Sequence, residues 1–509
     1  VQDQRKKIEK NRMLEKVARF LHHRTKITLS DSEMNRIRAA REVVLEKIRA
    51  GKTVYGINTG FGKLAQVNIP ADELEQLQIN LLRSHACGVG NPIDTEIVAL
   101  MMFLKIRSLT AGFSGCSPEV VAKLVEILNK NILPVVPSRG SVGASGDLAP
   151  LAHLCLPLIG EGEVFFKGKR RNAKELIDKG VYQPVRLGPK DGLSLINGTQ
   201  YSTALLTVAF LRARDIILLS ELAVAMSVEG TLATDVPFRQ QIHEIRRQSG
   251  EQEVARHIRK FLRDSEIVQS HKDCIKVQDP YSFRCAPQVI GVVRDTLRFV
   301  ENIVENELSA VTDNPLVFTE TGEVLSGGNF HAEPLAMAAD FLSIALTELA
   351  NIAERRIANL IDPVMSGLPA FLTQSSGVNS GFMIAHVTVA ALSAENRTLS
   401  TPASVETIPT SANQEDHVSM APNACLKLRQ IVENTQKIVW IELLAAAQGM
   451  DFRKPLNGGI GTQLGHEKIR SMVAHLDEDR IFYPDLEKSD DLFSDTTFIE
   501  AIHRISIND

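Results

Sequence analysis

Apolar and polar positions along the chain recur mostly with helical spacing. Ser30-x-x-Glu33 forms a capping box, and the charged amphipathic stretch over roughly 32–49 predicts a helix stopped by Gly51. Ser117-Pro118 reads as an N-cap followed by Pro at the first helical position; Val120, Val121, Leu124, Val125 and Leu128 then keep helical spacing. Five long segments, poor in Gly and rich in Ala and Leu, cover about 201–229, 287–310, 334–361, 380–398 and 422–448. Helices of that length with more than one apolar face must be buried in a bundle or against other subunits. The expectation is a mainly α protein. A loop-rich N-terminal region occupies 1–200, and a long central helical bundle with a C-terminal helical portion occupies 201–509, the two interlocked in one oligomeric subunit.

Islands rich in Gly, Ser and Asn interrupt this pattern at 55–62, 138–150, 197–200, 326–331, 375–381 and 409–417. Their composition makes them loops, and loops on a rigid scaffold carry function. There is no internal repeat at a solenoid period and no low-complexity tract.

Composition narrows the choices. In 509 residues, 57 basic against 61 acidic side chains give a net charge of −4, which excludes a nucleic-acid footprint. Only 5% of residues are aromatic, five of them Tyr, so each Tyr is worth locating. The six cysteines, Cys87, Cys116, Cys155, Cys274, Cys285 and Cys425, are scattered and suggest reduced, mostly buried thiols of a cytoplasmic protein. The basic segment 1–26 has no apolar core and reads as a solvated helix without a catalytic role rather than a secretory signal. The most apolar stretch, near 335–353, contains Asp340 and Glu348 and reads as too polar to span a bilayer. No H-E-x-x-H and no zinc-type Cys/His spacing occurs, so no metal is expected.

The densest anomaly is Gly140-Ser-Val-Gly143-Ala144-Ser145-Gly146-Asp147-Leu-Ala-Pro150. It lacks the Lys of a P-loop, the spacing of G-x-G-x-x-G and that of a G-x-S-x-G elbow. An ordinary tight turn before a helix satisfies its composition. A second possibility is chemical. Gly tolerates unusual dihedrals, so a bent backbone could bring the Gly146 nitrogen onto the Ala144 carbonyl carbon. Cyclisation loses one water, and loss of the Ser145 hydroxyl as a second leaves an exocyclic methylene, a strong electrophile. Asp147 could shuttle the protons.

GSVGASGDLAPLAH resembles the signature of the aromatic amino acid lyase family, whose electrophile is a 4-methylidene-imidazol-5-one (MIO) formed autocatalytically from Ala-Ser-Gly. YGINTGFG, SHACGVG, SLINGTQ, KVQDPYSFRCAPQ, TDNPLVF, SGGNFHAEP, AERRI, NSGFMIAH and TSANQEDHVSM resemble family blocks in family order, over roughly residues 53–450. The resemblance implies an MIO from Ala144-Ser145-Gly146 with no external cofactor. It also implies a homotetramer whose active sites are assembled from loops of three subunits, with no membrane partner. His85 followed by small residues, and Glu415 in Asn413-Gln414-Glu415-Asp416-His417, look like the histidine-specific members. A carboxylate can pair with an imidazole but would be an unsatisfied charge beside a phenyl ring. The implied reaction is non-oxidative elimination of ammonia from L-histidine to give trans-urocanate. An MIO-dependent aminomutase, or a lyase acting on tyrosine or phenylalanine, is the alternative.

By the same resemblance Tyr55 is the base for the β-proton, which requires its pKa to be lowered by neighbours or by the electrophile's field. Tyr281 is a second catalytic tyrosine, and Glu415 is a further candidate for proton transfer. Arg284 clamps the substrate carboxylate, Asn197 and Gln278 are polar contacts, Phe330 packs beside the electrophile and His85 orients the imidazole. Cys87 departs from the Ala or Ser of many relatives, close to the ring pocket, where it could reshape specificity.

Overall fold

The computed structural model describes residues 12–60, 62–64, 66–271 and 277–507. Helices dominate it. Gln200–Thr231, Ala286–Glu307, Glu333–Ile361, Met383–Leu399 and Ala421–Asp451 each start and stop within three residues of the expected long segments. The chain divides into two compact units. The first comprises Val1–Val208, Glu301–Ala339 and Pro402–Leu426, and the second Ala209–Val300, Asp340–Thr401 and Lys427–Asp509.

In the first unit, helix Asp31–Arg49 carries both halves of the expected capping box at Ser30 and Glu33. It packs with helices Thr95–Thr110 and Pro118–Asn129, burying Ala40, Val43, Val44, Val120, Val121 and Leu124. Short antiparallel ribbons brace these helices. Val89–Pro92 pairs with Pro137–Arg139, Glu163–Phe166 lies between Leu133–Pro134 and Lys169–Asn172, and Leu316–Phe318 pairs with Glu323–Leu325. Ser117 stands at the expected N-cap but does not cap with its side chain. Its hydroxyl donates to buried Asp191 at 2.5 Å, because that carboxylate also draws in the Ser117 N–H at 2.7 Å and Arg41 at 3.6 Å.

The solvated reading of the N-terminus needs correction for its second half. Residues 1–11 lie outside the described residues, but helix Met13–His23 buries Leu14, Val17 and Phe20. Phe20 stacks on Phe103 with ring centroids 4.7 Å apart. The Met13 and Leu14 N–H groups donate to Glu305, so a carboxylate satisfies the helix start.

In the second unit, helix Ser249–Phe261 packs against Ile460–Met472 and Thr496–Ile507. Buried charges of this unit form ion pairs that offset their desolvation. Arg356 and Glu442 meet with both side chains fully buried, and Arg294 bridges Glu221 and Glu253. Helix Glu333–Ile361 is long and apolar enough to cross a membrane by length and composition, contrary to the reading of it as too polar. In this structure 72% of its apolar window is buried inside the chain's own fold, so internal packing accounts for the apolarity. Cys116, Cys155 and Cys425 are buried and in no disulfide, Cys285 is half-buried and Cys87 exposed; Cys274 lies outside the described residues.

Candidate active site

Five segments of the first unit converge on one cavity. Helix Leu74–His85 supplies Leu77, Asn80, Leu81, Ser84 and His85, spaced so that they share a face. His85 Nδ1 lies 2.9 Å from the Leu81 carbonyl oxygen. A carbonyl only accepts, so Nδ1 carries the proton. Burial lowers the His85 pKa, with the Leu81 hydrogen bond and Glu415 opposing the shift. The ring is therefore neutral near pH 7, and its Nε2 is an acceptor.

The Gly-rich segment runs from strand Pro137–Arg139 to helix Leu148–Cys155. Gly146 adopts φ +77°, and a Cβ there would lie 2.3 Å from the Gly198 carbonyl oxygen. Only glycine fits, because both the conformation and the packing against Gly198 exclude a side chain. The Asp147 N–H donates to the same Gly198 oxygen at 2.8 Å. The Asp147 carboxylate is buried, accepting from the Ser202 N–H and hydroxyl at 2.8 and 3.0 Å and from the Ser141 hydroxyl at 3.3 Å. Asn197 Nδ2 donates to the Ser145 carbonyl at 3.3 Å, while its buried Oδ1 has no partner among the described residues.

Glu415 is presented by an unusual turn. Ser411, Ala412 and Asn413 have φ of 47°, 51° and 63°, three consecutive non-glycine residues in the left-handed region. Each such residue costs roughly 1–2 kcal/mol. The turn is closed by paired backbone bonds between Thr410 and Glu415, and the Thr410 hydroxyl donates to Glu415 Oε2 at 2.6 Å. The other carboxylate oxygen, Oε1, accepts from the Ser145 hydroxyl at 2.8 Å. Conformational strain is thus held at the point that aims a carboxylate at Ser145.

The cavity enclosed by these segments has a volume of about 640 Å³. It brings together Tyr55, His85, Ser145, Asn197 and Glu415, and Ala144 and Gly146 flank Ser145 in the chain. Its apolar walls include Val67, Ile69, Leu81, Leu148, Leu193 and Ile196. Phe330 is half-buried in the same unit but does not line it. Gln278, Tyr281 and Arg284 belong to the second unit. There the Arg284 guanidinium lies 4.3 Å over the Tyr281 ring, which is 69% exposed. Cys87 is exposed and does not line the cavity either.

The structure corrects one electrostatic expectation. Burial raises the Tyr55 pKa and the nearby Glu415 charge raises it further, against a hydrogen bond from the Gly62 backbone. The phenol is held protonated by its neighbours within the chain. Sequence reasoning also missed Lys105, fully buried beneath the site and donating to the Ser194 and Asn197 carbonyls at 3.2 and 2.7 Å. Desolvation pushes its pKa down to about 8. Nothing in its apolar surroundings in the sequence, IVALMMFLKIRSL, marks it as a ligand of a distant loop.

Asp147 gives a pH prediction. Burial pushes its carboxyl pKa up to about 6 from an ordinary 3.8, so the folded chain holds its proton more tightly than the unfolded one. The stability this contributes is complete below about pH 4 and is lost as pH rises through about 6. Urea unfolding of the parent and Asp147→Asn between pH 4 and 7 measures it. The parent is expected to lose up to about 3 kcal/mol relative to the variant across that window.

A family model for aromatic amino acid lyases matches residues 13–471. The chain belongs to the aromatic amino acid lyase family. It is 50% identical over 486 residues to a histidine ammonia-lyase of Shewanella sediminis, covering 95% of each chain. Among solved structures, histidine ammonia-lyase from Trypanosoma cruzi superposes with a TM-score of 0.89 at 40% identity, covering 97% of this chain and 93% of that one. Tyrosine aminomutase from Streptomyces globisporus superposes with a TM-score of 0.91 at 33% identity, over 97% and 98%. Fold similarity is thus equal for a lyase and a mutase, and the choice of chemistry falls to the site.

Proposed function

We propose that this chain is a histidine ammonia-lyase that eliminates ammonia from L-histidine to give trans-urocanate. One observation carries the reading: Glu415 is aimed at Ser145 in a cavity with apolar walls that also holds a neutral His85. An imidazole ring offers an N–H donor, and two when the Glu415 carboxylate favours its protonated form, whereas a phenyl ring offers none and would leave a desolvated carboxylate unpaired. The curated relatives of near-equal length carry the same name.

The residues fit an MIO at Ala144-Ser145-Gly146. Gly146 is sterically confined to glycine, Ser145 holds its hydroxyl in the cavity, and Asn197 has a buried oxygen awaiting a donor. When formed, the MIO supplies an electrophile that turns the substrate amino group into a leaving group. Loss of the Ser145 hydroxyl removes the donor to Glu415 Oε1, which frees that oxygen for the substrate ring. His85 Nε2 accepts an imidazole N–H and orients the ring. Tyr55 lies within the cavity for removal of the β-proton, and a cationic group must approach to offset the burial and the Glu415 charge that keep it protonated.

Gln278, Tyr281, Arg284 and Phe330 complete the site from partner subunits of a homotetramer in this reading. Supporting it, none of the four lines the cavity of its own first unit. Helices Ala286–Glu307 and Glu333–Ile361 leave Val292, Phe299, Met337, Phe341 and Ile344 exposed, a surface suited to further copies. Arg284 then pairs with the substrate carboxylate and supplies the missing positive charge. The thiols in no disulfide favour a cytoplasmic setting.

The test is to incubate the purified protein with L-histidine and follow the ultraviolet absorbance of urocanate. A rise is expected with histidine. Turnover of tyrosine or phenylalanine instead overturns the substrate assignment, and accumulation of β-histidine makes the enzyme an aminomutase. Intact mass is expected to fall short of the sequence mass by two waters.

A further inference from the structure

His331, Glu333 and His417 each offer one ligand atom, and these atoms lie within 4.8 Å of one another. They come from two distant stretches of the first unit: the Gly/Asn-rich loop that ends at helix Glu333–Ile361, and the segment that follows the Glu415 turn. None of the three lines the catalytic cavity.

Their hydrogen bonding leaves a gap. Glu333 Oε2 is buried and has no donor among the described residues. A buried carboxylate oxygen without a donor or cation is costly, so the site calls for positive charge. The two imidazole rings lie beside it with centroids 5.6 Å apart. His331 Nε2 lies 3.4 Å from the His417 carbonyl oxygen, a long contact and a weak use of a ring nitrogen. Asp451 offers the contrast. His466, His475, Arg470 and Lys454 already surround it, so that carboxylate needs no ion.

We propose that His331, Glu333 and His417 bind a divalent transition ion of the Zn²⁺ class. Two imidazoles and one carboxylate are a characteristic donor set for such ions. Ligands at about 2.0–2.2 Å from a metal lie closer together than 4.8 Å, so side-chain rotations on the order of 1 Å gather them. The ion ties the loop before helix Glu333–Ile361 to the segment carrying Glu415, two residues from His417. Its role is to pin that segment, and it does not depend on which amino acid the enzyme consumes.

The test uses the full chain, stripped with chelator and free of L-histidine, which itself chelates zinc. Zn²⁺ is titrated by isothermal calorimetry, and Co²⁺ binding is followed by its visible absorption bands. One ion per chain is expected. Affinity should fall roughly tenfold or more in each of His331→Ala, Glu333→Gln and His417→Ala. Glu333→Gln is nearly isosteric, and far-UV circular dichroism confirms that each variant remains folded. No saturable binding by the parent overturns the site, as does any one of the folded variants binding as the parent does.

Discussion

Ser145→Ala is expected to abolish ammonia elimination, by about 10³-fold or more, while leaving the chain folded. Removing a residue at the heart of a covalent catalytic unit costs on that scale. Alanine has no hydroxyl to lose, so the second dehydration that creates the electrophile cannot occur. The structural cost is small. Ser145 is half-buried and its hydroxyl makes one hydrogen bond, to Glu415 at 2.8 Å. Such a bond contributes about 1 kcal/mol. Urocanate formation, intact mass and thermal unfolding measured on one preparation separate the two effects. A fully active Ser145→Ala protein would refute the electrophile, whatever its stability.

Glu415→Gln carries the second large effect. A hydrogen bond to a charged group is worth about 1.5–3 kcal/mol, so histidine turnover should fall roughly 10- to 150-fold. The amide keeps the shape of the side chain and one acceptor. Its NH₂ group, however, stands either where Oε2 accepts from the Thr410 hydroxyl or where Oε1 faces the cavity, so one of the two acceptors becomes a donor. Assembly, followed by light scattering, should be unchanged, because Glu415 acts inside the cavity. Unchanged turnover would remove the main support for histidine as substrate and leave the family chemistry standing.

Much of this site was legible one residue at a time. Ser145 and Glu415 sit in loop islands, His85 at the end of a helix, and all three reach the cavity. The spacing of Leu77, Leu81 and Ser84 is a helical face that a closer reading would have assigned to the same wall. Lys105 was invisible, because its partners are carbonyls about 90 positions away in sequence. The sign of the Tyr55 shift was also hidden, since it depends on burial and on the Glu415 charge, neither of which is local.

By itself, the sequence determined the helices and the chemistry-bearing types. Apolar spacing and the scarcity of Gly and Pro are local properties, and they placed the long helices within three residues. Ala144-Ser145-Gly146 was likewise readable, because only small residues permit the required bend. Tertiary structure alone decided what these residues meet. It set Gly146 against Gly198 where no Cβ fits, and put the Glu415 carboxylate on the Ser145 hydroxyl through a strained left-handed turn. It also gathered His331, Glu333 and His417. The physical reason is distance along the chain: these contacts join positions 52 to 270 residues apart, and no local pattern records which distant segments burial will bring together.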